Sequence, residues 1–96
     1  MIKIVFRNTI KESKKEEFLS LVKELVEKSR EEEGNISYGL FNDKNDSNVL
    51  TFIEEWKDQA AIDIHNATEH FVRIIPQMRE LTIAEGEEGR IYTQVL

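Results

Sequence analysis

The sequence predicts an α+β fold, a ferredoxin-like split βαβ arrangement built on a four-stranded antiparallel sheet. Two observations lead there. Apolar residues alternate in some segments and recur on one helical face in others, in the order strand, helix, strand, strand, helix, strand. The 96 residues carry 40% apolar side chains, one Pro and four Gly, and show no repeat, low-complexity tract or linker, so residues 1–96 read as one domain with one core.

The first strand is Ile2 to Asn8, with Ile2, Ile4 and Phe6 on one face. Ser13-Lys14-Lys15-Glu16 then fits a capping box, hydroxyl and carboxylate each meeting a free backbone N–H. The helix it opens carries Phe18, Leu21, Val22 and Leu25 on one face, broadened by Leu19 and Val26, and Gly34-Asn35 stops it. A second strand spans Ile36 to Phe41. The polar segment Asn42 to Asn48 is a turn, and the third strand, Val49 to Trp56, closes a hairpin. Asp58 is suited to cap a short helix through Ile64, and Thr68 another running through Phe71, Ile74, Ile75, Met78 and Leu81. Pro76 lies inside that second pattern, where a missing N–H and a clash with the preceding turn predict a kink or restart. An acidic loop, Glu85 to Gly89, leads to a last strand, Arg90 to Leu96.

Helices on one face of such a sheet leave the other to water, and a face that meets water should be polar. Here the third strand is apolar on both sides, with Val49 and Ile53 on one and Leu50, Phe52 and Trp56 on the other. The last strand behaves alike, with Ile91 and Val95 against Tyr92 and Leu96. The chain has no spare element to cover the second face, so a second copy is expected there: a homodimer packed sheet to sheet.

Charge and composition exclude several functions. The net charge of −6 repels phosphate backbones and anionic membrane surfaces, so no nucleic acid and no membrane is expected as a partner. No apolar run approaches the roughly 18 residues of a membrane span, and the N-terminal segment lacks a signal-peptide core. The absence of Cys removes disulfide and thiolate chemistry and suits a cytoplasmic protein.

The one place that looks chemical is Glu54-Glu55-Trp56…His65…His70-Phe71, which holds the single Trp and both His. His titrates nearest neutrality, and Trp offers a flat apolar wall. Glu54 shares a strand face with Leu50, Phe52 and Trp56, so it either reaches the sheet rim or lines a cavity, where it needs a partner. Asn8 is in phase with Ile4 and Phe6 and either offers its amide to that cavity or serves the strand end. His65 and His70, five apart, would lie about 140° apart around one helix, a poor metal pair without a third ligand. No nucleophile elbow or phosphate-binding glycine loop is present.

The stretch Ile53-Glu54-Glu55-Trp56-Lys57-Asp58-Gln59-Ala60, then His65, then Thr68-Glu69-His70-Phe71, resembles the antibiotic biosynthesis monooxygenase domain family. The Glu32-Glu33-Gly34-Asn35 turn resembles it too, and the likeness covers essentially the whole chain. The resemblance implies a dimeric α+β barrel with a pocket between sheet and helices. It also implies oxidation of a small aromatic quinol or anthrone by molecular oxygen, with no metal, flavin or haem as cofactor. In that scheme His65 is the catalytic base or hydrogen-bonding group, Trp56 the wall and Glu54 the polarising group, with His70 and Phe71 closing the pocket.

Departures narrow the likeness. Members that oxidise polyketides carry Asn and Tyr where this chain has Phe52 and Ile62. Haem-degrading relatives carry Trp and His where it has His65 and Ile75. The pattern is close to quinol-monooxygenase-like proteins. It is about as close to isomerases of phosphorylated autoinducer-2 breakdown products, for which Arg7 and Arg73 are the cationic candidates. A non-catalytic small-molecule-binding dimer is the third alternative.

Overall fold

The computed structural model describes residues 1–96. The alternating segment Ile2–Thr9 is β1, and the amphipathic segment Lys15–Arg30 is α1. Asn35–Asp43 and Asp46–Trp56 form β2 and β3. Two helices follow, α2 over Gln59–Asn66 and α3 over Glu69–Arg79, then a 3-10 turn at Ala84–Gly86 and β4 over Glu88–Thr93. The strands lie antiparallel in the order β2-β3-β1-β4, the ferredoxin-like topology.

The register decides what faces the helices. Ile4 pairs with Glu54, Phe6 with Phe52 and Asn8 with Leu50, while Tyr38 pairs with Glu54 on the other side of β3. Directly opposed residues share a face. Leu50, Phe52 and Trp56 are buried there with Phe18, Val22 and Leu25 of α1 and Ile74, Ile75 and Met78 of α3. Each such apolar side chain contributes roughly 1.5–3 kcal/mol by leaving water. Of the broader stripe expected on α1, Leu21 and Val26 are only partly buried and Leu19 is exposed.

The opposite sheet face carries no helix. Val5, Ile53, Phe41 and Tyr92 stand there among Lys3, Arg7, Glu55 and Arg90. It is therefore mixed in character, not apolar throughout. Val49 is buried, but Phe41 and Tyr92 are more than half exposed.

Several local expectations change. The Ser13 capping box does not form: Ser13 has φ 69° in a turn closed by the Lys14 N–H donating to the Lys11 carbonyl (3.0 Å), and no side chain caps α1. A positive φ at the third residue is the type II turn signature, and it commits Ser13 to the turn. The polar segment after Phe41 is mostly strand. The ladder extends to Asp43 and Asp46, leaving Lys44-Asn45 as the turn, because Asn42 Nδ2 donates to the Val49 carbonyl (2.9 Å) and Asp43 accepts from the Asn45 N–H (2.8 Å). α3 runs through Pro76 without a break; the carbonyl deprived of its donor belongs to Val72, on the exposed side of the helix. The last strand begins earlier than expected and ends at Thr93, so Val95 and Leu96 are exposed and unpaired. The caps on α2 and α3 are as expected: Asp58 accepts from the Ala61 N–H (2.9 Å) and Thr68 from the Phe71 N–H (3.3 Å).

Candidate active site

The end of β3 and the two short helices converge on a cavity of about 400 Å³ between sheet and helices. Its walls are mostly apolar, with Ile4, Phe6, Phe52, Phe71 and Ile91 among them. Its polar groups are Glu54, His65, Tyr38, Asn66 and Arg79. An apolar enclosure with a few convergent polar groups is the usual form of a small-molecule site.

His65 occupies the last turn of α2 and is buried. Asp58 fixes the start of that helix, and Gly34 lets it approach the turn after α1, since a Cβ at Gly34 would come within 2.3 Å of the Ala61 Cβ. The imidazole packs against Trp56 with ring centroids 4.4 Å apart, with Phe71 edge-on at 5.0 Å and Tyr38 at 5.6 Å. Nδ1 lies 2.7 Å from Glu32 Oε2. With the carboxylate oxygen as acceptor, Nδ1 carries the proton and donates it, leaving the Nε2 lone pair free. Burial holds the His65 pKa below its ordinary value, against the opposing pull of Glu32. The neutral ring is therefore the resting form near pH 7.

Glu54 is buried on the same floor and accepts from Trp56 Nε1 at 2.9 Å. Burial pushes its pKa up to about 7; the Trp56 hydrogen bond opposes that rise and the Glu32 charge adds to it. The carboxyl is thus poised to donate or accept a proton. Burial and the neighbouring Glu54 push the Tyr38 phenol well above its usual range, so it stays protonated.

The structure brings Glu54, His65 and Phe71 to the cavity lining. Trp56 is not a wall of it. Fully buried, it stands behind, holding Glu54 by its indole N–H and backing His65 with its ring. His70 turns away from the cavity, its Nε2 2.8 Å from the same Glu32 oxygen. Asn8 does not line the cavity either: it is buried further along β1, its Nδ2 donating to the Phe6 carbonyl at 3.3 Å. Arg7 points to the opposite sheet face, and Arg73 is held by Glu24 and Glu69 at the surface.

His65 and His70 belong to different helices, because Ala67 and Thr68 end one and cap the next. Glu32, from the turn after α1, joins them.

Residues 1–77 match the family model described as antibiotic biosynthesis monooxygenase. The chain belongs to that family. It is 44% identical over 75 residues to "Putative monooxygenase YcnE" of Bacillus subtilis (strain 168), spanning 78% of this chain and 79% of that one. A crystal structure described as an antibiotic biosynthesis monooxygenase superposes with a TM-score of 0.92 at 38% identity over the whole of both chains. A conserved protein from Methanosarcina mazei Go1 gives 0.93 at 36% identity, covering 98% of this chain and 92% of that one.

Within this family fold, sequence reasoning missed Glu32, Tyr38 and Arg79. Glu32 lies in an acidic run, Glu31-Glu32-Glu33, that reads as a solvated helix end. α1 stops at Arg30, and Asn35 N–H donates to the Glu32 carbonyl (3.0 Å), folding that residue back over α2. Tyr38 reads as a sheet residue, and nothing local marks Arg79.

Proposed function

We propose that this chain is a cofactor-independent monooxygenase that oxidises a small aromatic quinol with molecular oxygen. The observation that carries this reading is His65 on the floor of an apolar cavity, its Nδ1–H held by Glu32 and its Nε2 left as a base. An aromatic hydroxyl bound against Nε2 gives up its proton to the imidazole, and Glu32 stabilises the imidazolium that forms. Glu54, protonated through much of the neutral range, donates a hydrogen bond to a substrate oxygen. Phe6, Phe52 and Phe71 exclude water from the electron-rich anion.

The anion itself reduces oxygen. One electron passes to O2, the resulting radical pair joins as a C–O bond, and the ring hydroperoxide loses water. Quinol plus O2 gives hydroxyquinone plus water, so the substrate supplies all the electrons and no outside reductant is needed. For an anthrone the same sequence gives the quinone and water.

Trp56 and His70 act behind the cavity, Trp56 by positioning Glu54 and His70 through Glu32. Asn8 acts only on the packing of β1. The active form is a homodimer joined through the helix-free sheet face, where Val5, Ile53, Phe41 and Tyr92 would be covered. Sedimentation at micromolar concentration should give twice 11.3 kDa; a monomer would contradict it.

Arg79, a cation at the cavity edge 3.7 Å from Glu87, favours a second reading. It is proton-transfer isomerisation of a small phosphorylated ketone, with His65 moving the proton and Arg79 holding the phosphate. Oxygen consumption separates the two. Uptake with a panel of reduced quinones and anthrones, above autoxidation and lost in His65→Ala, supports the monooxygenase. Absence of uptake across the panel, with turnover of a phosphorylated ketone, supports the isomerase.

A further inference from the structure

Glu32, His65 and His70 do more than a general base requires. We propose that these three side chains bind one divalent transition-metal ion of the zinc type, behind the cavity. Their ligand atoms all lie within 4.8 Å of one another, and they come from three different segments: the turn after α1, α2 and α3. Two imidazoles and one carboxylate are an established donor set for Zn2+.

A second observation points to a ligand. Glu32 Oε1 is buried and has no hydrogen-bond partner, although its sister oxygen has two. A buried carboxylate oxygen left bare is costly, and an ion chelated by both Glu32 oxygens would satisfy it. Glu32 also lines a separate hollow of about 310 Å³ with Gly34, Asp58 and Ala61. In the metal-free geometry the nitrogens sit 2.7 and 2.8 Å from Oε2. Tetrahedral zinc with bonds of about 2.0–2.1 Å sets such donors about 3.3 Å apart, so each nitrogen needs to move about 0.5 Å from Oε2. Glu32 stands in a turn, where that adjustment is easiest. The net charge of −6 favours cation approach.

Occupation has a consequence that rests on the proposed role of His65. Coordination through Nδ1 displaces the proton from that nitrogen to Nε2. His65 then presents an N–H to the cavity in place of a lone pair, so the ion switches the base off. The metal is an inhibitor here, not a cofactor.

The test is calorimetric titration of the full chain, without a polyhistidine tag, with zinc chloride, alongside Glu32→Gln and His70→Ala. Cys is absent and these are the only two His, so no other imidazole or thiolate competes. The expected result is one saturable ion per chain. Its affinity should fall in both variants by at least the roughly 10–100-fold that loss of even an outer partner costs a metal site. No one-to-one binding, or equal binding in both variants, overturns the site. Circular dichroism establishes that each variant is folded, and should Glu32→Gln fail, His70→Ala decides alone, since it lies outside the cavity. The binding arm needs no substrate, so it stands or falls apart from the oxidase reading. Where quinol oxidation is measurable, saturating zinc should abolish it; full activity with the ion bound overturns the switch.

Discussion

Two charged networks tie the α1 side of the molecule to α3, and they behave differently. At the surface, Arg73 of α3 bridges Glu24 of α1 and Glu69, with Lys28 beside them 2.8 Å from Glu24. Under cover, Glu32 bridges His65 and His70. The surface network holds more formal charge. The Arg73 and Lys28 hydrogen bonds keep Glu24 at about 2, yet water and salt screen every partner. In the buried network one Glu32 oxygen meets both imidazoles, so each ring nitrogen that faces it has a single partner. Chemistry follows from that restriction. Where a ring nitrogen is buried against a single partner, its orientation is fixed; where a group has several exposed partners, it is not.

The sharpest way to break the buried side is Glu32→Ala. It orphans two ring N–H groups and should cost about 2–4 kcal/mol in denaturant unfolding, at roughly 1–2 for each unmet buried donor. Next comes Glu54→Gln. The Glu54 pKa rises on folding from the ordinary 4.5 to about 7, so the native state holds a proton that the unfolded chain releases first. Stability from this group is present below about pH 4.5, declines as pH climbs, and is gone above about 7. The Gln variant lacks that decline. Relative to the native chain it should gain up to about 3 kcal/mol between pH 4.5 and 8, read as the difference between the two pH–stability curves. His65, lowered by burial, acts in the opposite sense below its ordinary value of 6.5, and the subtraction removes it.

Gly34→Ala alters the geometry of the buried network while leaving its charges in place. The new methyl would meet Ala61 at 2.3 Å, so α2 must shift. A loss of about 1–3 kcal/mol is expected. Oxidation of a quinol should suffer with it, since His65 rides on that helix. The smallest effect belongs to Arg73→Ala. Its stability should match that of the native chain in high salt and fall only slightly in low salt, measured by denaturant unfolding. A large loss that persists in high salt would contradict the contrast between the networks.

Much of this was legible in the sequence where the signal is local. Strand alternation put Glu54 on the inner face with Phe52 and Trp56, and Asp58 and Thr68 marked both helix starts. Thr68 carries a further signal: a cap three residues after His65 splits the two histidines between helices, so the separation of about 140° on one helix does not apply. Glu32 was not legible because its partners are 33 and 38 residues away, and a triple Glu run gives no hint of which member turns inward. The Asn42–Asn48 segment reads as a turn in the sequence for a related reason. Its polar side chains suit a loop, but their hydrogen bonds go to the backbone and extend the ladder instead. Ser13 failed as a cap because backbone conformation, not side-chain chemistry, decided its place.

The central claim is that Glu32 fixes His65 as a neutral imidazole with Nδ1 protonated and Nε2 bare toward the cavity. Long-range 1H–15N correlation of the side chains tests it directly, and two histidines make the spectrum simple to assign through Glu32→Gln and His70→Ala. At pH 7 in metal-free buffer, His65 should show the Nδ1–H tautomer and His70 an Nε2–H. His65 found as the Nε2–H tautomer, or as a fully protonated imidazolium, would contradict the account, because neither leaves a base facing the substrate.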